Sequence, residues 1–131
     1  MPRLHVKALA FLTIILPAAA WAQSLEWEKP RVAIIVSPSG GKTACEFRFT
    51  NKSNQPVRIK AAPASCSCVA PKPDKRAYAP GESGLLPVTY SPKGRPGLRA
   101  YRLYVVTDEK GIRPYELVLE VNETSEAEPE N

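Results

Sequence analysis

Apolar and polar residues alternate along most of this sequence with a period of two. Cys45, Phe47 and Phe49 share one parity. The charged residues between them, Glu46 and Arg48, take the other. This period is typical of a β-strand with one buried face, because successive side chains point to opposite sides of the strand. No segment shows the sustained spacing of an amphipathic helix. The pattern therefore predicts an all-β fold.

Turn-forming residues interrupt the alternation at short intervals. The resulting seven or so antiparallel strands over roughly 100 residues are what an immunoglobulin-like β-sandwich needs. We therefore predict one such domain over residues 23–121, with residues 62–84 and 91–98 as loops. The residues predicted to face the core are Cys45, Phe47, Phe49, Val57, Ile59, Ala61, Leu86, Val88, Tyr90, Tyr101, Leu103, Val105, Tyr115, Leu117, Leu119 and Val121.

The first 22 residues have the features of a secretory signal peptide. Arg3 and Lys7 supply a basic start, an apolar run covers residues 8–16, and a small-residue cleavage site ends at Ala22. We expect cleavage before Gln23. The apolar run is too short to remain as a membrane anchor, since a spanning helix needs about 20 apolar residues. The sequence therefore predicts a protein that is periplasmic or secreted and has no stable membrane attachment.

The last ten residues, 122–131, are polar and acidic. Four of them are glutamates, and none is a large apolar residue. A segment of this composition buries too little apolar surface to offset the entropy lost on ordering. We therefore predict a disordered acidic tail.

Removal of the signal peptide would also remove the only histidine, His5, and the only methionine, Met1. A chain without histidine has no Ser-His-Asp or Cys-His catalytic set and no imidazole ligand for a metal. The sequence also lacks a phosphate-binding glycine loop and a dinucleotide fingerprint. We therefore expect a protein that is not an enzyme and needs no cofactor. Although the net charge is +5, export argues against nucleic acid as the partner.

The cysteines Cys45, Cys66 and Cys68 are the residues that could carry chemistry. In an oxidising, exported compartment, neighbouring thiols are expected to form a disulfide. A bond between Cys66 and Cys68 requires a bend at Ser67, because two residues of extended chain span about 7 Å, the upper limit for the Cα atoms of a disulfide. The pairings Cys45–Cys66, Cys45–Cys68 and Cys66–Cys68 all stay open, and each leaves one thiol over.

The same cysteines suggest an alternative function. A Cys66–Cys68 bond that is easily reduced would suit thiol-redox exchange. Thiolates from Cys45, Cys66 and Cys68 would also suit a soft metal ion such as copper(I). This redox or copper-handling hypothesis is the weaker alternative to a protein-interaction or structural role.

Two apolar surfaces are candidates for contact with a partner. Residues 32–36 contain no charge, and as an edge strand they would accept a strand of another protein, with Ile34 and Val36 among the contacts. The second surface lies on the last hairpin, which turns at residues 108–111. Three of its apolar residues have the parity that should face solvent: Tyr104, Val106 and Val118.

Several short pieces of the sequence occur in the order of a known bacterial family. They are Leu25-Glu26-Trp27, Phe47-Arg48-Phe49-Thr50-Asn51, Pro56-Val57-Arg58-Ile59, Ser65-Cys66-Ser67-Cys68, Pro80-Gly81-Glu82-Ser83-Gly84, and Gly97 before Tyr104-Val105-Val106-Thr107. Over residues 25–121 the chain resembles the exported family called domain of unknown function 1573. The family pattern is Ser-Cys-Gly-Cys-Thr, whereas this chain has Ser67 in place of the glycine and Val69 in place of the threonine.

The resemblance implies an immunoglobulin-type sandwich of the ASH and PapD-like kind, exported by a bacterium. It implies no established activity. Together with the residue patterns, it favours an exported protein-interaction or structural module of the cell envelope, whose partner is another envelope protein.

Overall fold

The computed structural model describes residue 2, residues 23–37 and residues 39–125. In these ranges the chain forms nine strands and no helix, and so none long and apolar enough to cross a membrane. Apart from Pro2, the predicted signal peptide lies outside the described residues, as do residues 126–131 of the predicted tail. The strands are β1 (Leu25–Trp27), β2 (Arg31–Val36), β3 (Thr43–Asn51), β4 (Val57–Ala61), β5 (Val69–Pro71), β6 (Ala77–Tyr78), β7 (Ser83–Tyr90), β8 (Gly97–Thr107) and β9 (Tyr115–Glu123).

The strands form two sheets. One has the order β1-β3-β7-β5 and the other β2-β9-β8-β4-β6, so the predicted all-β architecture of two sheets is confirmed. The prediction of about seven antiparallel strands was wrong in two respects. The described residues contain nine strands, and β2 pairs with β9 in parallel. The strands β5 and β6 lie in the segment predicted as a loop, because three and two residues are too few to display a period.

The core lies between the sheets and is filled by one parity of each long strand. Of the residues predicted to face inward, all are buried except Cys45 and Ala61. Cys45 is partly buried and packs against the core. Ala61 is exposed, because the pairing of β4 with β8 shifts register between Ile59 and Ala61.

The chain crosses from one sheet to the other between its first two strands. β1 pairs with the end of β3, and after Trp27 the chain passes over so that β2 pairs with β9. Pro30 lies in this crossing, where its carbonyl accepts the N–H of Val118 at 2.8 Å. The crossing leaves β2 at the edge of the five-stranded sheet, with no strand on its outer side among the described residues.

β9 continues two residues beyond Val121, where the sequence analysis ended the domain. Glu123 has the inward parity of this strand, and its side chain is buried. Its carboxylate accepts the N–H of Lys93 at 2.6 Å and a guanidinium N–H of Arg99 at 2.8 Å. The first two residues of the predicted tail are therefore part of the sheet.

Tyr115 connects the start of β9 with β1 of the other sheet. Its hydroxyl donates to the Glu109 carboxylate at 3.0 Å and accepts the N–H of Leu25 at 3.0 Å. Burial raises the pKa of Tyr115 to about 12; the Leu25 N–H partly offsets this effect, and the Glu109 carboxylate adds to it. The folded state therefore favours the neutral phenol.

We expect Tyr115 to make the domain sensitive to alkali. An unfolded tyrosine ionises at about pH 10. The stability contributed by the neutral phenol is therefore complete below that pH and is lost as the pH rises to about 12. In Tyr115→Phe, which cannot ionise, the free energy of unfolding in urea should fall less than in the wild type between about pH 9 and about pH 11.5. An equal fall in the two proteins would contradict this role.

Candidate functional site

The outer edge of β2 is the most open strand edge in the described part of the chain. β2 has six residues, whereas the other edge strands, β1, β5 and β6, have three, three and two. An edge strand exposes unpaired N–H and C=O groups, and proteins usually protect it with charges, proline or a bulge. β2 contains no proline, and Arg31 is its one charged residue.

The pairing with β9 determines which backbone groups of β2 are free. The carbonyls of Pro30 and Val36 accept the N–H groups of Val118 and Thr124, on the β9 side. In a parallel pair, the N–H and C=O groups of one residue point to the same side of the strand, and this side alternates from residue to residue. The even-numbered residues of β2 therefore bond to β9. The N–H and C=O groups of the odd-numbered residues therefore point away from the sheet. These residues are Arg31, Ala33 and Ile35.

The side chains that β2 exposes to solvent are not the ones predicted to contact a partner. Val36 is 3% exposed and Ile34 is partly buried, so neither offers a free apolar side chain to a partner. Ile35, which the sequence analysis did not select, is 74% exposed. The predicted segment, residues 32–36, is apolar throughout and did not include Arg31. Arg31 belongs to β2 and has the parity of Ile35, so it is the signal that marks the outward side.

A shallow cavity of about 250 Å³ lies between β2 and β3. β1 pairs with the end of β3 only, so the first part of β3 is also unpaired on this side. One apolar and four charged residues line the cavity: Glu28, Lys29, Val32, Glu46 and Arg48. The two acidic and two basic groups balance, so the cavity suits a polar, uncharged side chain better than an ion.

The outer face of the five-stranded sheet carries a second exposed apolar residue near Ile35. Leu98 is 79% exposed and lies opposite Asn122 of β9, which in turn lies opposite Ile35. Ile35 and Leu98 thus share one row across three strands. Leu98 was predicted to lie in a loop, whereas it belongs to β8. The available signal was its parity, which matches that of Tyr104.

The hairpin residues predicted to contact a partner are only partly brought together. Tyr104 is 36% exposed, while Val106 and Val118 are partly buried. Val118 lies opposite Arg102 and is the diagonal neighbour of Tyr104. Val106 lies further along β8, opposite β4. An ion pair between Arg102 and Glu116, 3.4 Å long, interrupts the apolar surface. A partner surface at these three residues stays a prediction.

Of the three cysteine pairings left open by the sequence, the structure contains Cys66–Cys68. Their Cα atoms are 5.2 Å apart, because the chain turns at Ser67 and the Val69 N–H bonds to the Cys66 carbonyl at 3.1 Å. The required bend is therefore present. Ser67 forms it without a positive φ angle, so the turn does not need the glycine of the family pattern.

The disulfide lies where the chain passes from the five-stranded to the four-stranded sheet. Before it, the Ser65 N–H bonds to the Arg102 carbonyl of β8 at 2.8 Å. After it, the Cys68 carbonyl accepts the N–H of Ser91 at 2.8 Å, and Val69 pairs with Tyr90 of β7. Backbone hydrogen bonds therefore hold both ends of this turn.

Cys45 does not take part in this bond. It lies in β3 opposite Val88, and its thiol is free. Burial, and secondarily the charge of Glu46, raises the pKa of Cys45, so the thiol stays neutral and is a poor nucleophile. Over the described residues, no three His, Cys, Asp or Glu side chains form a metal-binding group, so Cys45, Cys66 and Cys68 do not converge as copper ligands.

Asn51 is a buried residue that the sequence analysis did not identify as structural. Its amide donates to the carbonyls of Gln55 at 2.8 Å and Tyr78 at 3.0 Å, and its side-chain oxygen accepts the Ser53 N–H at 3.0 Å. These bonds join the turn after β3 to β6. The signal was an asparagine followed by the polar residues Lys52, Ser53 and Asn54, a composition typical of a turn, where its side chain commonly bonds the backbone two residues further on.

Three solved structures share this architecture. A protein of unknown function from Porphyromonas gingivalis is 17% identical with a TM-score of 0.64, covering 82% of this chain and 51% of that one. The ASH/PapD-like domain 7 of human CEP192 is 14% identical with a TM-score of 0.55, covering 97% of this chain and 100% of that one. The periplasmic chaperone SfaE is 8% identical with a TM-score of 0.54, covering 82% of this chain and 60% of that one. At these identities the likeness shows the fold alone, and the chain matches only about half of the Porphyromonas gingivalis protein.

The fold is therefore that of a PapD-like, immunoglobulin-type sandwich. Within this class, the chain belongs to the family described as protein of unknown function (DUF1573), whose model matches residues 25–122. The resemblance seen in the sequence is thus confirmed. No curated protein matches the chain.

Proposed function

We propose that this chain is an exported, non-enzymatic module of the cell envelope that binds another envelope protein by strand addition. An extended segment of the partner pairs along the outer edge of β2 and adds a sixth strand to the five-stranded sheet. The observation that carries the proposal is the set of free backbone groups at Arg31, Ala33 and Ile35, on an edge that has no proline and whose one charged residue is Arg31.

The geometry of β2 defines the kind of segment that fits. Its three odd-numbered residues offer three N–H and three C=O groups, and each hydrogen bond gained contributes about 1 kcal/mol. Alternate side chains of the added strand point to opposite faces of the sheet. On the outer face they lie beside exposed Ile35, which favours an apolar residue. On the inner side they meet the cavity lined by Val32 and four charged residues, which favours a polar one.

Export and a binding role have separate support. The N-terminal 22 residues have the pattern of a signal peptide, and SfaE, which shares the fold, is a periplasmic chaperone. The CEP192 domain and SfaE both belong to the ASH/PapD-like or chaperone group rather than to an enzyme class. These likenesses concern the fold, and the proposed binding role itself rests on the free edge of β2.

Ala33→Pro tests the proposal directly. Proline removes the outward N–H of residue 33, while the bonds of the even-numbered residues to β9 remain. Short peptides selected from a random display library against the wild-type domain should have a period of two, and their affinity for Ala33→Pro should fall at least about tenfold, the equivalent of about 1.4 kcal/mol. Binding should also slow amide hydrogen exchange at Ala33 and Ile35.

Ala33→Ser is the matched control, because it keeps the N–H and adds only a hydroxyl at an exposed position. It should bind the selected peptides with nearly wild-type affinity. Peptides that bind Ala33→Pro as tightly as the wild type, while both variants unfold at similar urea concentrations, would show that the β2 edge is not the binding site.

A further inference from the structure

We propose that the Cys66–Cys68 disulfide takes part in thiol–disulfide exchange with a dithiol polypeptide. Cys66 is the sulfur that forms the mixed disulfide, and Cys68 is the resolving thiol. This activity goes beyond strand binding at β2 and does not depend on it, because the two features lie on different segments. The proposal is carried by the hydrogen bonding of the turn and by the unequal burial of its two cysteines.

The bond is not needed to hold the turn in place. Cys66 and Cys68 are separated by a single residue, so the loop that they close is minimal and constrains the unfolded chain little. On the native side, hydrogen bonds from Ser65 to Arg102 and from Ser91 to Cys68 already fix the segment to both sheets. The disulfide is therefore poorly placed to act as a structural staple.

The two cysteine residues differ in burial. Cys68 is 8% exposed and belongs to the buried core, whereas Cys66 is partly exposed. An external thiolate reaches Cys66 more easily than Cys68. In the reduced protein the same difference makes Cys66 the thiol that meets another protein first, because exchange depends on access to the attacking sulfur.

The turn also favours the thiolate form of Cys66. The backbone N–H of Cys68 donates to the Cys66 Sγ at 3.2 Å. Hydrogen bonding to a charged form stabilises it, so this contact favours a Cys66 thiolate once the disulfide opens. The Val69 N–H, bonded to the Cys66 carbonyl, keeps the turn in this conformation.

The geometry suits the return reaction as well. The Cα atoms are 5.2 Å apart, within the range that a disulfide accepts. Because backbone bonds maintain this separation, the reduced thiols remain close enough to re-form the bond. The same short distance allows Cys68 to attack a mixed disulfide at Cys66 without movement of either sheet.

The exchange balances without any other reactant. A thiolate of the dithiol polypeptide attacks the Cys66 sulfur and forms a mixed disulfide, and the electron pair of the broken bond leaves on Cys68, which takes up a proton. The second thiolate of the polypeptide then attacks the polypeptide's first sulfur, which is bonded to Cys66 in the mixed disulfide. The electron pair of that bond leaves on Cys66, which takes up a second proton. The polypeptide is oxidised to a disulfide, and this chain is reduced to two thiols, a transfer of two electrons and two protons.

Single-cysteine variants test the assigned roles, with oxidised glutathione as the probe. In a Cys45→Ser background, Cys68→Ser leaves Cys66 as the thiol, and Cys66→Ser leaves Cys68. We expect the glutathione mixed disulfide to form at least about tenfold faster at Cys66, because it is the more accessible and better stabilised thiolate. Equal rates, or a faster reaction at Cys68, would overturn the assignment.

A second measurement uses the wild-type chain and covers the case in which a variant fails to fold. The protein is treated with reduced thioredoxin under native conditions, and its free thiols are then labelled with a limiting amount of iodoacetamide and located by mass spectrometry. Reduction with an unchanged circular dichroism spectrum and label mainly on Cys66 is expected. A bond that thioredoxin leaves intact, or a domain that unfolds on reduction, would identify a structural staple instead.

Discussion

Gly84→Ala is expected to destabilise the domain by about 3 kcal/mol, since forcing extra volume into a close-packed core costs about that much. A Cβ atom at residue 84 would lie 2.4 Å from the Cε1 atom of Tyr78 and 2.7 Å from the Cζ atom of Phe49. Both rings are almost completely buried and pack edge to face with centroids 4.8 Å apart. The guanidinium of Arg76 covers the Tyr78 ring at 4.2 Å. At these distances Tyr78 and Phe49 would have to shift within the packed core.

The effect would be measured as the loss in free energy of unfolding in urea. For a domain of this size, it corresponds to a fall in melting temperature on the order of 15 °C. Gly40→Ala is the matched control, because its φ angle is also not positive and the nearest atom, the Ser37 carbonyl oxygen, lies 3.3 Å away in an exposed turn. Similar losses in the two variants would show that the packing of Tyr78 and Phe49 is not the cause.

Arg99→Met is expected to lower the free energy of unfolding by about 3 kcal/mol, because it leaves a buried carboxylate without its countercharge. The side chain of Glu123 is fully buried, while that of Arg99 is 29% exposed. Without the guanidinium, the carboxylate keeps only the Lys93 N–H among the hydrogen bonds seen here. The carbonyl of Arg95, which Arg99 also binds at 2.6 Å, loses its donor too.

A double-mutant cycle identifies this mechanism. Glu123→Gln keeps an acceptor for the Lys93 N–H and leaves an Arg99 that reaches solvent, so it should cost only about 1 kcal/mol. In the double variant the buried charge is absent, and stability should recover by about 2 kcal/mol relative to Arg99→Met. Strictly additive losses would mean that the two side chains do not stabilise each other.

Glu123 also illustrates why sequence patterns predicted the core well but its boundary less well. Alternation in the last two long strands identified every inward residue from Tyr101 to Val121, because Arg102, Glu116 and Glu120 mark the other parity as outward. Glu123 continues the inward parity, yet its charge and its acidic neighbours indicated a tail. Its burial depends on Arg99 and on Lys93, and pairings across the fold are not visible in a local pattern.

The candidate sites were predicted in the same uneven way. The apolar composition of residues 32–36 indicated a strand that could lie at an edge, and β2 does so. Its free backbone groups follow from parallel pairing with β9, which no local pattern shows. Likewise, the spacing of Cys66 and Cys68 indicated a bend if they were bonded. Only the hydrogen bonds of Ser65 and Ser91 show how that turn is held.

The parallel pairing of β2 with β9 has a consequence for the order of folding. Contacts between β8 and β9 form across a short turn, whereas β2 pairs with residues from the opposite end of the domain. Pairing two strands that are distant in sequence requires closing a long loop, and this costs entropy before any contact forms. Such pairings therefore form slowly. During synthesis β2 is the first strand of its sheet to be made, whereas its pairing partner β9 is the last of the described strands. Until β9 is made, the backbone groups on both edges of this apolar strand are unpaired. β2 therefore depends on the last strand of the domain to pair one of its edges.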